Sequence, residues 1–149
     1  MGCNHSLSKG DKDQLPTIAS SADDMIPNMS PEVQPGEYAF ISTQDAGLIA
    51  KLSPEAVGTF KEAEGLSMLV PAAFADDTSV PMKCITLNVY SSLEGVGLTA
   101  AVSSALGEHD IPCNMVAACH HDHVFVPADK CDQAMAVLTA LQQRAANKA

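Results

Sequence analysis

Between residues 83 and 127 the apolar residues repeat every second position, then at a helical spacing of about 3.6, then every second position again. Few folds other than a sheet interrupted by a packed helix accommodate that change of period. The segment KCITLNVY (83–90) alternates, with Ile85, Leu87 and Val89 on one side and Cys84, Thr86, Asn88 and Tyr90 on the other. It reads as a strand with one core face and one more polar face. SSLEGVG (91–97) reads as a glycine-containing loop. LTAAVSSALGEH (98–109) reads as a helix whose stripe is Leu98, Ala101, Val102, Ala105 and Leu106. Gly107 weakens its end, and Pro112 prevents continuation. IPCNMVAAC (111–119) and HVFVP (123–127) read as two further strands joined by a His/Asp turn. A final helix over about 128–144 carries the stripe Cys131, Ala134, Met135, Leu138 and Leu141. The order β-α-β-β-α predicts two helices on one face of an antiparallel sheet, a ferredoxin-like layer lacking its last strand. A spare strand of the N-terminal half is expected to fill that edge.

The N-terminal half is less regular. Residues 4–28 are rich in Ser, Asp, Lys and Gln without a sustained period, which predicts a disordered tether over 1–28. Pro31, Pro35 and Gly36 punctuate a loop. Residues 37–43 alternate as a strand, with Tyr38 and Phe40 opposite Ala39 and Ile41. Residues 45–52 suit a short helix or a bent connection, ended by Pro54. Segments 59–62 and 66–70 read as a hairpin turning at Ala63-Glu64-Gly65, and 72–76 as one helical turn before a linker. The expected plan is therefore a tether (1–28), an abbreviated N-terminal half (29–80), a C-terminal unit (81–144) and a short tail (145–149).

Bulk properties remove several classes of function. A net charge of −10 provides no basic footprint for phosphates, and Trp is absent, so nucleic acid is not an expected partner. No apolar run reaches the roughly 18 residues of a membrane span, and no secretory h-region is present. Five cysteines, an odd number with no CxxC pair, suit a reducing, cytoplasmic compartment and not a zinc ribbon. The opening MGCNHS fits N-myristoylation at Gly2, with Cys3 placed for palmitoylation. Two acyl chains together would hold the chain at the cytoplasmic face of a membrane.

The motifs SSLEGVGLTAAV (91–102), IPCN (111–114) and HDHVFVP (121–127) follow MSPEVQPGEYAF (29–40) and EAEGLSMLV (62–70). Together they resemble a family of small tandem ACT-domain proteins, over about residues 25–142. The family is distantly similar to the tandem-ACT cytosolic arginine sensors of animals. The resemblance implies an α+β fold. Two ferredoxin-like ACT halves, the first abbreviated, would form a joint antiparallel sheet with helices on one face. ACT domains bind amino acids and other small effectors at domain interfaces, commonly through the strand–helix loop. That role falls here on Leu93, Glu94, Gly95, Val96 and Gly97. The acylation pattern lies outside the resemblance.

The residues themselves allow two readings of that loop. Unpaired N–H groups at a helix start favour an anion, and Gly95 and Gly97 would let a ligand approach the backbone. Alternatively the glycines serve only a tight turn, with Ser91 or Ser92 bonding locally. The run CHHDH (119–123) suggests a metal if Cys119, His121 and His123 share a strand face. A turn at that place breaks the alternation and favours a polar hairpin that bonds across a seam. The expected ligand-binding set is Ser91, Ser92, Leu93, Glu94, Gly95, Val96, Gly97, Asn114, His121, Asp122 and His123. No metal or cofactor is expected. Cys119 or Cys113 with His120 lacks a nucleophile elbow or oxyanion signature, so no enzyme is expected. The expected function is a non-catalytic regulatory module binding an amino-acid-like effector between ACT halves. The alternatives are a membrane-tethered interaction or dimerisation domain and, more weakly, a metal-binding protein. The polar strand face and open edges predict a homodimer.

Overall fold

The alternating stretches form strands in the structure, a computed structural model that describes residues 18–148. The C-terminal unit begins with strand β6 (Met82–Leu87). Helix α3 (Leu98–Gly107), strand β8 (Asn114–Ala117), strand β9 (Asp122–Pro127) and helix α4 (Cys131–Ala146) follow. The N-terminal half contributes β3 (Tyr38–Thr43), α2 (Ala46–Leu52), β4 (Gly58–Glu62) and β5 (Gly65–Pro71). Asp45 caps α2, its side chain accepting from the Leu48 amide at 2.6 Å. Gly65 turns the β4–β5 hairpin at φ 149°, where a Cβ would lie 2.7 Å from the Thr43 carbonyl oxygen.

Each half follows β-α-β-β, and each takes its fourth strand from the other. The sheet runs β4-β5-β3-β6-β9-β8, all neighbours antiparallel. β6 therefore stands beside β3, closing the first half. The edge of β6 beyond that contact is taken by β2 (Pro31–Val33), which pairs Pro31↔Leu87 and Val33↔Ile85. The spare strand expected from the N-terminal half is thus the segment that the prolines made look like a loop. It is three residues long, and Gln34 extends the pairing by donating to the Cys84 carbonyl at 2.8 Å. Gly36, at φ 86°, then turns the chain away into β3. A 3-10 turn at Ala72–Phe74 stands where one helical turn over 72–76 was expected.

All the helices lie on one face. Ile85, Leu87, Val124 and Val126 point into a core shared with Val102 and Leu106 of α3 and Ala134 and Leu138 of α4, each buried. Burial of one such aliphatic side chain contributes about 1.5–3 kcal/mol. A smaller core under α2 holds Leu52, Met68 and Val70.

The expected tether is too long. Residues 19–28 fold as β1 (Ala19–Ser21) and α1 (Ala22–Asn28). Ser21 caps α1 by accepting from the Asp24 amide at 3.2 Å, and Met25 and Met29 are each 1% exposed within the main core. Gln142 of α4 fixes the other end, its amide donating to the Pro27 carbonyl at 2.7 Å. The polar composition of 4–28 hid the buried Met25, one helical turn before Met29. At the other end α4 continues to Ala146, past the expected boundary at 144. Gly2 and Cys3, the expected acylation sites, lie outside the described residues.

Candidate functional site

The expected loop 91–97 is mostly a strand. Residues Ser91–Val96 form β7, which pairs in parallel with β1 through Ala19↔Ser91 and Ser21↔Val96. The N-terminal segment supplies the backbone partner that the sequence reading left out. Its helix also covers the glycines. A Cβ at Gly95 would meet the Ser92 carbonyl oxygen at 2.9 Å and Met25 Cε at 3.2 Å. One at Gly97, where φ is 106°, would lie 2.7 Å from Ala22 Cβ. Both glycines therefore admit α1. Val96 and Leu93 point outward, 77% and 62% exposed.

What remains open beside them is a pocket of about 100 Å³, bordered by Ser91, Ser92, Leu93, Gly95 and Gly97, by Leu98 and Thr99 at the start of α3, and by Met25, Ala117 and Asp122. Asp122 is 5% exposed, and its carboxylate accepts from Ser91 Oγ at 2.7 Å. Five of the seven expected loop residues thus meet one member of the His/Asp turn around a single small space.

The rest of that turn does other work. The Ala118 amide donates to the His121 carbonyl at 3.1 Å and closes it. His121 Nδ1 lies 3.2 Å from the Val89 carbonyl oxygen, and its ring meets Tyr90 edge-on at 4.8 Å. These contacts make a polar hairpin, but they lie within the C-terminal unit and not across a seam between halves. Asn114 sits at the opposite end of β8, in register with Phe125, while Asp122 is in register with Ala117. Asn114 and Glu94 do not border this pocket. Among the described residues no group of three or more His, Cys, Asp or Glu side chains is placed to hold a metal ion.

His123 faces the other side of the sheet. Its Nδ1 lies 3.0 Å from Thr86 Oγ1, on the face without helices. Burial pushes the imidazole pKa below its ordinary value, and nearby His121 adds to the effect against the pull of Asp122. Burial raises the pKa of the adjacent Cys84 thiol, opposed by a hydrogen bond from Thr86. His123, Thr86 and Cys84 border a second cavity of about 350 Å³ that sequence reasoning missed. The alternation of 83–90 marked the face as polar, but not that a second half-sheet stands opposite.

The comparisons place this architecture. ACT domain models match residues 20–86 and residues 79–140. A Vibrio cholerae protein of unknown function is 37% identical, over 80% of this chain and 94% of its own, with a TM-score of 0.69. This chain belongs to the ACT-domain family, with two ACT domains in tandem. An Agrobacterium tumefaciens protein shares the fold at 17% identity and a TM-score of 0.60, over 78% of this chain and 90% of its own. The regulatory subunit of aspartate kinase from Thermus thermophilus, in its ligand-free form, shares it at 8% identity and a TM-score of 0.57. That likeness spans 76% of this chain and 97% of the Thermus subunit. No curated protein matches the chain significantly. Among the described residues no helix is long and apolar enough to cross a membrane.

Proposed function

We propose that this chain is a non-catalytic regulatory module. In this reading it binds a small amino acid, or a molecule bearing the same ammonium and carboxylate groups, where α1 meets β7. The observation that carries the reading is the Asp122 carboxylate, 5% exposed, held by Ser91 and bordering the 100 Å³ pocket. A carboxylate engaged by one hydroxyl keeps acceptor capacity for an ammonium group. The first N–H groups of α3 suit the ligand carboxylate, because they have no partner within the helix. The volume equals that of about three waters at roughly 30 Å³ each, which is tight for any amino acid, favours glycine, alanine or serine and excludes longer side chains. ACT units commonly serve as effector-binding regulators, as in the aspartate kinase subunit, and commonly pair with a second copy. A reducing, cytoplasmic setting agrees with the buried thiols Cys84 and Cys131.

Thermal unfolding of the full chain with millimolar glycine, alanine, serine, leucine and arginine tests the reading. The small three raise Tm by mass action and the large two do not. Asp122→Asn abolishes the shift. If no amino acid moves Tm, the effector reading fails. A response to arginine or leucine but not glycine removes this pocket as the site.

A further inference from the structure

The recess on the helix-free face of the sheet takes no part in that effector site. Val57 and Gly58 stand at β4, at one end of the strand order, and Val116 and Ala118 at β8, at the other end. All four border the same cavity of about 350 Å³, together with Phe125 near its middle. The two half-sheets therefore lean towards each other over this face, and the space between them is a cleft. A second sheet stacked face to face needs a level approach at about 10 Å, which the converging ends deny.

The chemistry of the cleft is one-sided. None of the described side chains bordering it carries a fixed charge. Tyr38 donates its hydroxyl to the carbonyl of Pro35, also on the cavity wall, at 3.3 Å and meets Phe125 edge to face at 5.8 Å. The polar side chains on the wall include Gln34 near one edge and the part-buried Thr86–His123 pair. With Nδ1 engaged by Thr86, Nε2 is the ring position left to a guest. Burial lowers the imidazole pKa, so the pair is uncharged at neutral pH.

We infer that this cleft is a second ligand site, for an uncharged, mostly apolar small molecule of the indole or phenol kind whose one polar group hydrogen-bonds the Thr86–His123 pair. A zwitterion is disfavoured, because no charged side chain among those bordering the cleft compensates for the water lost from its charges. The volume lies near the lower end of small-molecule sites, and at roughly 30 Å³ per water-sized atom it holds about a dozen heavy atoms.

Saturation-transfer NMR on the full chain tests the inference, with indole and p-cresol as probes, p-xylene as the analogue lacking a hydroxyl, and tryptophan as the zwitterionic control. Indole and p-cresol bind saturably and tryptophan does not. Gly58→Leu blocks both probes: no atom lies within 4 Å of a Cβ built there, so the added side chain has the cleft to fill without disturbing the core. Glycine binding at the effector pocket is untouched by that change. His123→Leu, which removes Nε2, weakens p-cresol about tenfold, as loss of one hydrogen bond does, and changes p-xylene far less. Absence of saturable binding by indole and p-cresol overturns the inference, as does binding that Gly58→Leu leaves intact. So does sedimentation showing a dimer that Gly58→Leu dissociates, since a second copy would then occupy the face.

Discussion

Tyr38 and Met82 stand opposite each other as the one registered pair between β3 and β6. Side chains extend that contact: the Tyr38 ring meets Phe125 at 5.8 Å, and Phe40 meets Phe125 at 6.3 Å, both edge to face. Tyr38→Leu keeps apolar bulk and removes the ring pair. In a double-mutant cycle with Phe125→Leu, urea unfolding is expected to report a coupling of about 0.5–1.5 kcal/mol. Coupling near zero would mean that the halves are held by something other than these rings.

Ser91 supplies the hydrogen bond that the structure gives the buried Asp122 carboxylate. Ser91→Ala leaves that acceptor short of a partner and is expected to cost about 1–3 kcal/mol by chemical denaturation. Ser92→Ala, whose hydroxyl accepts only from the Glu94 amide at an exposed site, is expected to cost less. Equal losses from the two changes would remove the special place of Asp122.

Gly97 is under two constraints at once. Its left-handed backbone costs an L-residue about 1–2 kcal/mol, and an added methyl overlaps Ala22. Gly97→Ala therefore destabilises by more than the backbone term. Combining it with Ala22→Gly recovers the overlap but not the backbone strain, so the pair is non-additive in thermal or urea unfolding. Strict additivity would show that α1 does not press on this bend in solution.

His123 gives stability a predictable pH dependence. Its folded pKa lies below the ordinary 6.5, so the unfolded chain takes up the proton first as pH falls. The contribution is fully present above pH 6.5 and is lost as pH drops through the folded value. His121 and Asp122 act on the same ring in opposite senses, so the diagnostic is a difference between proteins. His123→Gln should flatten the fall in stability between neutral and mildly acid pH, measured by urea midpoints. An unchanged slope would assign the effect to other groups.

Periodicity made much of this fold legible. Strands β6 and β9, helices α3 and α4, and the β4–β5 hairpin each carry several apolar residues at one spacing, so their faces were readable. Four elements, β1, β2, α1 and β7, were not. β2 is three residues flanked by prolines, and its strand character comes only from the free edge of β6. α1 carries one core methionine, Met25, among acidic residues, with Met29 at its C-cap, and its readable signal was the cap Ser21 with Asp24 three positions on. β7 looks like a loop because its glycines accommodate α1, and its partner β1 lies about 70 residues earlier in a parallel pairing that no local pattern reveals. The effector pocket was half visible: Ser91 to Gly97 and Asp122 were singled out separately, and only the fold joins them. The cleft was invisible because its opposing walls belong to different halves.

A ladder with a single rung resists bending poorly. The angle between the half-sheets therefore depends, beside the three β2–β6 pairs further along the same edge, on the wedge of Tyr38, Phe40 and Phe125. Anything that thickens or thins that wedge rocks the sheet about the Tyr38–Met82 rung, and α2 swings relative to α3 and α4 on the far side, as the arms of a lever move about its fulcrum.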